Sequence, residues 1–330
     1  MSTVDGVERD RFIRWLLDLA PSYEWTAWQG LDRVKADLAA RALVGTYERA
    51  MTSAGSRIVL ERDGDAPTAG AILTPKPMES EHFGVPTVSV AHPVARSDVR
   101  QRPRIVRQLL DRVVEEAPEA QLFMLRVHAG DVEMLAAAQD SGFRVVEGTL
   151  TYLADCADQD TATNLHDGLV VDVFEGGSGD HMLSASEIDT LSRATSSWNL
   201  SRFRADPHLD QRAVDNYYRS WIPNIVSGQF SDCVYVARFD GELVGIYAEC
   251  TDPDLLDLTG TTVRVGSWMV VLQPGLGAGR ALMRTSAAHR YPGGRFHENE
   301  TQIHNVGAIR SFDHMTFIRS GYTLHAWPRR

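Results

Sequence analysis

Residues 270–290 read VVLQPGLGAGRALMRTSAAHR, an apolar strand that runs into a glycine-rich loop and then into a helical pattern. Gly275, Gly277 and Gly279 stand at alternate positions of the loop. Because glycine has no Cβ, successive backbone N–H groups can converge on one anion at the positive end of the helix that follows. The stretch therefore predicts a phosphate-binding loop.

Two common nucleotide motifs do not fit this loop. The dinucleotide pattern G-x-G-x-x-G needs glycine where Arg280 stands, and no Gly-Lys-Ser/Thr follows for a Walker motif. A tight turn whose glycines only permit close packing is the alternative interpretation.

The composition of the chain limits which binding partners and which cellular compartment we expect. The chain has 330 residues, which suits two domains, and its 33 basic and 44 acidic residues give a net charge of -11. This charge disfavours nucleic acid and an anionic membrane as partners. No apolar run approaches a membrane span and the first residues do not resemble a signal peptide, so we expect a cytoplasmic protein. Three widely spaced cysteines indicate reduced thiols, and no metal site is expected.

Strand and helix patterns alternate along the chain, which predicts an α/β (α+β) fold. The polar run at residues 155–167 is the best candidate for a linker and predicts two domains, 1–160 and 161–330. Asp240-Gly241 between two apolar runs predicts a β-hairpin.

Residues 122–153 and 296–327 share one layout of strand, polar turn, helix, Ser-Gly-aromatic and closing strand. The spacings of Asp131 and Gly142 against Asn305 and Gly321 place about five extra residues in the second helix region. The offset of 179 between the two glycines maps the glycine loop onto residues 96–100, which contain no glycine and include a carboxylate. We therefore expect only the second half to bind phosphate, although two strand-helix-strand units can also be similar by chance.

The loop at 274–283, the turn at 301–305 and the Ser-Gly-Tyr at 320–322 resemble the acetyl-CoA-binding core of GNAT acyltransferases. With residues 201–204 upstream, the chain from 79 to 330 is similar to the dTDP-fucosamine acetyltransferases, which N-acetylate a 4-amino-4,6-dideoxy sugar on a thymidine diphosphate carrier. The resemblance implies a tandem GNAT fold, with a mixed central sheet flanked by helices in each half. It also implies that the first half is a degenerate GNAT-like domain, which lacks the glycine loop of the second half.

The resemblance also implies acetyl-CoA, or another acyl-CoA, as co-substrate and no metal. The loop backbone is expected to hold the pyrophosphate, and the backbone N–H of Val270 to bind the thioester oxygen. The expected cofactor-binding residues are Met269, Val271, Gly275, Leu276, Gly277, Ala278, Gly279, Arg280, Asn305 and Phe312.

One departure from the family concerns the general acid. The family has a tyrosine seven residues after the asparagine, and this chain has Phe312 when counted forward from Asn305, or Phe317 when counted back from Gly321. His314 is the nearest substitute acid, and an exposed helix histidine is the alternative interpretation.

For the acceptor, Arg202 and Arg204 are expected to clamp phosphate, while Tyr218 and Trp221 stack on a base or sugar. The alternative makes the two aromatic residues the core face of their helix. Glu249 is the candidate general base, with a solvated strand carboxylate as the alternative.

These observations predict an acyl-CoA-dependent N-acyltransferase whose acceptor amine attacks the thioester directly. The acceptor is expected to be a small-molecule amine such as a nucleotide-linked amino sugar, and the protein a monomer or homodimer. Two alternatives stay open: acylation of a different small amine, such as a natural-product amino sugar or an amino-acid intermediate, and a CoA-binding pseudoenzyme without turnover.

Overall fold

The computed structural model describes residues 6–19, 44–45, 47–96, 102–156, 167–176, 182–198, 201–252, 262–289 and 294–328. Most of the polar linker at 155–167 lies outside these ranges, as do residues 97–100 of the segment onto which the glycine loop maps. A helical pattern at about residues 32–50 also falls mostly outside them. No helix in the described ranges combines the length and apolar character needed to cross a membrane.

The described chain alternates strands with helices on a mixed α/β pattern. The helices are α1 (Gly6–Leu19), α2 (Pro77–Phe83), α3 (Arg102–Glu116), α4 (Val132–Asp140), α5 (Ala185–Ser196), α6 (Arg202–Ala205), α7 (Gln211–Arg219), α8 (Trp221–Val226), α9 (Ala278–Ala288) and α10 (Val306–Ser311). The strands are β1 (Arg57–Asp63), β2 (Ala66–Pro75), β3 (Thr87–Ala95), β4 (Leu122–His128), β5 (Arg144–Asp155), β6 (Leu169–Glu175), β7 (Cys233–Phe239), β8 (Glu242–Asp252), β9 (Thr262–Val271), β10 (Gly294–Gln302) and β11 (Thr316–Ala326).

The chain divides into two compact units, one of residues 1–149 with 319–330 and one of residues 150–318. The expected domains, 1–160 and 161–330, differ from this division at two places: the units divide after residue 149, and residues 319–330 belong to the first unit. The reason for the second difference is pairing: Gly321–Ala326 of β11 runs antiparallel to Phe123–His128 of β4, so the last strand completes the sheet of the first unit. The linker itself stays a prediction.

In the first unit the strands lie in the order β1-β2-β3-β4-β11. β1, β2 and β3 pair antiparallel, and β3 pairs parallel with β4 after the crossover helix α3. The apolar face of α3, including Val106, Leu109 and Val113, packs into the core of this unit. The spacing of these residues puts them on one helical face, which is the sequence pattern of an amphipathic helix.

In the second unit the order is β10-β9-β8-β7-β6. β6 to β9 pair antiparallel, and β9 pairs parallel with β10 after the crossover helix α9. Each face of this sheet has its own apolar cluster: one includes residues of α9 and α10, and the other includes residues of α5 and α8. The predicted hairpin is confirmed, with Asp240 and Gly241 both at positive φ between β7 and β8.

Each unit has a strand followed by a polar turn and a short helix, β4 to α4 in the first unit and β10 to α10 in the second. The N-caps of α4 and α10 have nearly identical backbone angles. Asp131 begins α4 at φ -82°, ψ 69° and accepts from the Met134 N–H, while Asn305 begins α10 at φ -82°, ψ 72° and accepts from the Ala308 N–H. An Asn or Asp in this position satisfies one of the free N–H groups at the start of a helix. The shared layout of the two halves is therefore a property of the structure.

The expected five-residue insertion is wrong. α10 ends at Ser311 and β11 begins at Thr316, so Gly321 lies inside a strand. Gly142, by contrast, ends α4 at φ 88°. The two glycines are not equivalent, so the count back from Gly321 loses its basis, and the place of Phe312 at the family's tyrosine stays a prediction.

Candidate functional site

The glycine loop leads directly from β9 into α9. Gly275 has φ 98° and Gly277 has φ 75°, and a Cβ on either residue would meet no atom within 4 Å. Gly277 is the N-cap of α9 and offers no side-chain hydrogen bond to the helix. The N–H groups of Ala278, Gly279 and Arg280 therefore have no intrahelical acceptor and remain available to an anion.

The third glycine of the loop has a different task. Gly279 is buried within α9, and a Cβ there would lie 2.6 Å from the Ser311 Oγ of α10. Its missing side chain lets α9 and α10 approach each other. The close-packing interpretation is correct for Gly279, and phosphate binding by the backbone around Gly275 and Gly277 stays a prediction.

Beside the loop, two parallel strands separate. The pairing of β9 with β10 runs from Thr262 opposite Gly294 to Val265 opposite Glu298, and no pair joins them beyond that point, although β9 continues to Val271 and β10 to Gln302. On its other edge β9 remains paired with β8 as far as Val271, with one extra residue, Ser267, forming a bulge. A gap thus opens toward the glycine loop, and it is bordered by backbone groups of β9.

The alternation of the β8–β9 ladder decides which N–H groups face this gap. Leu272 donates its N–H to the Val244 carbonyl of β8. Because neighbouring residues of a strand point their N–H groups to opposite edges, Val270 also faces β8, while Met269 and Val271 face the gap. The N–H groups that face the gap are therefore those of Met269 and Val271, whereas that of Val270, the expected oxyanion donor, faces β8.

Glu249 is held in a buried polar cluster between the sheet and α9. Its side chain is 1% exposed. Its Oε1 accepts from Arg264 Nη1 at 2.8 Å and from Tyr235 Oη at 2.7 Å, and its Oε2 accepts from Ser286 Oγ at 2.6 Å. The interpretation as a solvated carboxylate is wrong, because the side chain is buried and accepts hydrogen bonds from three side chains; its role as general base stays a prediction.

A second part of this cluster extends to the gap. His297 is fully buried, and its Nε2 lies 2.7 Å from Tyr247 Oη and 2.8 Å from Asn299 Nδ2. Burial lowers the pKa of His297 well below its ordinary value, with the nearby Arg264 charge acting in the same direction. The ring is therefore neutral at pH 7, because its burial outweighs the Glu249 carboxylate, whose Oε2 lies 3.4 Å from His297 Nε2.

At α10, Asn305 uses its Oδ1 to accept from the Ala308 N–H at 3.2 Å, so this oxygen caps the helix. Phe312 ends the helix and is 4% exposed. Its ring packs against that of Tyr152 of β5, with 5.3 Å between the ring centroids, and the half-exposed ring of Phe317 lies 5.9 Å from Tyr152. Tyr152 thus contacts both Phe312 and Phe317, the two positions at which the family's acid tyrosine was expected.

His314 lies in the turn between α10 and β11, and its side chain is only 9% exposed, so the interpretation as an exposed helix histidine is wrong. Burial lowers its pKa, against the opposing effect of Asp313. The neutral ring is a poor proton donor at pH 7. Asp313 also pairs with Arg280 Nε at 3.0 Å and with Arg284 at 3.3 Å, which ties the turn to the first half of α9.

The two arginines of the expected phosphate clamp differ. Arg204 donates to the carbonyls of Ser196 and Trp198 and pairs with Asp215, so its guanidinium holds the helices together. The guanidinium of Arg202 lies 4.8 Å from the Phe203 ring centroid. The geometry favours a structural role for Arg204, and the clamp as a whole stays a prediction.

Tyr218 and Trp221 meet at Trp268 of β9. Tyr218 is 5% exposed and stacks on Trp268 at 5.9 Å, and Trp221 and Trp198 each have ring centroids 4.8 Å from it. Trp268, Val270 and Leu272 belong to the apolar cluster opposite the one that contains Met269 and Val271. This aromatic group, Trp198, Tyr218, Trp221 and Trp268, therefore lies on the other face of the strand that borders the gap.

Sequence reasoning missed the gap and the cluster beneath it. One signal was present: Gly266 interrupts an apolar strand, and a strand glycine often marks a bulge or a close approach. Pairing between distant strands leaves no such mark on either strand alone. In the described ranges, no group of three or more metal-ligating side chains comes together.

Comparison with known proteins finds one distant relative by sequence and several solved structures with a similar fold. No family model matches the chain. The spore coat polysaccharide biosynthesis protein SpsD of Bacillus subtilis (strain 168) is 29% identical over 143 residues, which are 41% of this chain and 45% of that protein. The match thus spans less than half the length of that relative.

Solved structures match along nearly the whole chain. A GCN5-related N-acetyltransferase from Sphaerobacter thermophilus aligns with a TM-score of 0.59 at 14% identity, covering 96% of this chain and 94% of that one. A tandem GNAT protein from the clavulanic acid biosynthesis pathway aligns with a TM-score of 0.50 at 17% identity, covering 97% of both chains. The expected fold is confirmed: the chain has the GNAT fold and is similar over its length to a tandem GNAT protein.

Proposed function

We propose that this protein is an acyl-CoA-dependent N-acyltransferase whose second unit binds the acyl-CoA. One observation carries the proposal: a loop with free N–H groups at Ala278, Gly279 and Arg280 stands at the open end of a gap between two parallel strands. The loop suits a pyrophosphate, and the gap suits an extended arm that reaches from it. The GNAT fold of the chain supports the same assignment.

In the proposed reaction an amine nitrogen attacks the thioester carbonyl carbon, a C–N bond forms and the C–S bond breaks. The chain supplies a Met269 or Val271 N–H to the carbonyl oxygen, where negative charge develops. One such donor contributes roughly a hundredfold to a thousandfold in rate. The amine loses one proton and the departing thiolate takes up one, so no cysteine and no redox group is needed.

We place the acceptor on the face of β9 that carries the aromatic group. Indole and phenol rings stack on the apolar faces of sugars and bases. Alternation along β10 places Glu298 and Glu300 on the face opposite His297 and Asn299, the same face as Trp268, where carboxylates would attract an ammonium. The name of the Bacillus subtilis relative, a spore coat polysaccharide biosynthesis protein, supports a sugar as the acceptor. Because the reaction needs an amine, the acceptor we propose is an amino sugar carried by a nucleotide.

A CoA-binding protein without turnover is the second candidate. Phe312 stands where the resemblance implies a tyrosine, and burial keeps His314 neutral, so neither is a ready proton donor. An alkyl thiol has a pKa of roughly 8.5, and its thiolate leaves tolerably without full protonation. Both candidates therefore bind CoA, and only the enzyme transfers the acyl group.

Release of free thiol from acetyl-CoA separates these candidates. The purified chain would be incubated with acetyl-CoA and a panel of amines: amino sugars, nucleotide-linked 4-amino sugars, amino acids and polyamines. Enzyme-dependent thiol release with at least one amine, together with the N-acetylated product in the mass spectrum, supports the proposal. Calorimetric binding of CoA without release for any amine supports the pseudoenzyme, and absence of binding contradicts both.

A further inference from the structure

The point at which β9 and β10 separate is occupied by one side chain. Val265 and Glu298 form the last pair, so Gly266 and Asn299 are the first residues on the unpaired side. Asn299 is 4% exposed and lies over Gly266. A Cβ on Gly266 would overlap Asn299 Oδ1 and lie 2.6 Å from Tyr247 Oη. Only glycine at 266 leaves room for this arrangement.

Asn299 is fixed in that place by side chains from two strands. Tyr247 Oη of β8 donates to Asn299 Oδ1 at 3.0 Å, and Asn299 Nδ2 lies 2.8 Å from His297 Nε2 and 3.9 Å from Met315 Sδ. Both ends of the amide thus have partners, which a buried polar group requires. Tyr247 and His297 are themselves 1% and 0% exposed, so the amide sits on a rigid support.

We propose that Asn299, seated over Gly266 and held by Tyr247 and His297, sets the position at which β9 and β10 part and thereby the shape of the gap that receives the acyl-CoA arm. Asn299 acts here as a positioning residue, because the contacts that fix it lie inside the buried cluster. The inference rests on the proposed function, since that proposal places the arm in the gap.

A side chain at position 266 and the side chain of Asn299 would occupy the same space. Substitutions at these two positions therefore test the proposal. Gly266→Ala introduces a methyl group where Asn299 lies, and either the side chain or the strand must shift. A displacement of about 1 Å in a binding site can cost up to about a hundredfold in kcat/KM. Asn299→Ala empties the same space. The double variant Gly266→Ala with Asn299→Ala fills it again with one methyl group and removes the overlap with Asn299, while the 2.6 Å approach to Tyr247 Oη remains.

The test measures the dissociation constant of CoA by calorimetry and kcat and KM for acetyl-CoA. Gly266→Ala should weaken CoA binding by roughly tenfold or more and raise KM for acetyl-CoA with it. The double variant should recover at least part of that loss. Gly70→Ala is the matched control: it is also a strand glycine, and its Cβ would lie 2.7 Å from Phe12 and 2.9 Å from Leu60 of the first unit. It should lower the melting temperature and leave CoA binding unchanged.

Equal CoA affinity for Gly266→Ala and wild type would overturn the inference, as would a double variant that binds no better than Gly266→Ala. If Gly266→Ala does not fold, Tyr247→Phe serves instead, because it keeps the ring and removes the hydroxyl that holds Asn299. A wild-type affinity for that variant overturns the inference as well. Failure of wild type to bind CoA contradicts the proposed function, so the two failures are distinguishable.

Discussion

Gly277→Ala should weaken acyl-CoA binding by more than its effect on stability can explain. Gly277 has φ 75°, and Gly176, in the turn after β6, has φ 76°. Neither would bring a new Cβ within 4 Å of another atom. The two substitutions therefore impose the same backbone strain with no steric overlap, and Gly176→Ala is a matched control outside the loop.

The expected magnitudes follow from these two facts. A left-handed conformation costs a non-glycine residue about 1–2 kcal/mol, so both variants should lose about that much unfolding free energy. At Gly277 the backbone can relieve the strain only by turning its N–H groups away from the anion. A hydrogen bond to a charged group contributes about 1.5–3 kcal/mol, so loss of one should raise the dissociation constant of CoA roughly 10- to 150-fold.

Urea denaturation and calorimetry on the same preparations check both numbers. The expected result is a similar drop in stability for Gly277→Ala and Gly176→Ala, with weakened CoA binding for Gly277→Ala alone. Wild-type affinity in Gly277→Ala, at a stability loss equal to that of the control, would refute the assignment of this loop to the pyrophosphate.

Three further predictions concern single groups. Because the Tyr152 ring packs against Phe312, where the resemblance implies the acid tyrosine, we expect the Tyr152 phenol to protonate the thiolate and Tyr152→Phe to lower kcat for acetyl-CoA by about tenfold or more. His314→Ala should lower kcat less, and a larger loss for His314→Ala than for Tyr152→Phe would make His314 the acid. Glu249→Gln should lower unfolding free energy by about 3–5 kcal/mol, because it leaves the Arg264 charge unpaired, and a wild-type stability with lost turnover would instead make Glu249 the base. Because burial lowers the pKa of His297, the unfolded chain takes up a proton below pH 6.5 that the native state excludes, so stability falls as pH drops from 6.5, by up to about 1.4 kcal/mol per pH unit. His297→Gln should make the denaturation midpoint less dependent on pH over this range, and an unchanged dependence counts against the neutral ring.

Much of the fold was predictable because its helices and turns depend on residues that are close in sequence. The apolar face of α3, the Asp240-Gly241 turn and the strand-loop-helix at 270–290 each depend on residues close in sequence. The two Asn and Asp caps, Asp131 and Asn305, marked the repeated unit correctly. Each of these signals rests on periodicity, turn chemistry or helix capping.

The errors came from relations that a linear pattern does not carry. Gly142 and Gly321 share a Ser-Gly-aromatic context, yet one ends a helix and the other lies in a strand. Glu249 looked solvated because the buried Arg264 that pairs with it comes from another strand. The donor expected at Val270 depended on which edge of β9 pairs with β8, and that is decided by ladder alternation. Burial and strand pairing thus decided each case.

The central claim is that the second unit holds acyl-CoA between the glycine loop and the separated strands. A crystal structure of the protein with CoA tests it most directly. We expect pyrophosphate oxygens within hydrogen-bond distance of the N–H groups of residues 275–280, with the pantetheine arm between residues 266–271 of β9 and 299–302 of β10. CoA bound at the start of α3 in the first unit, or away from both strands, would contradict it.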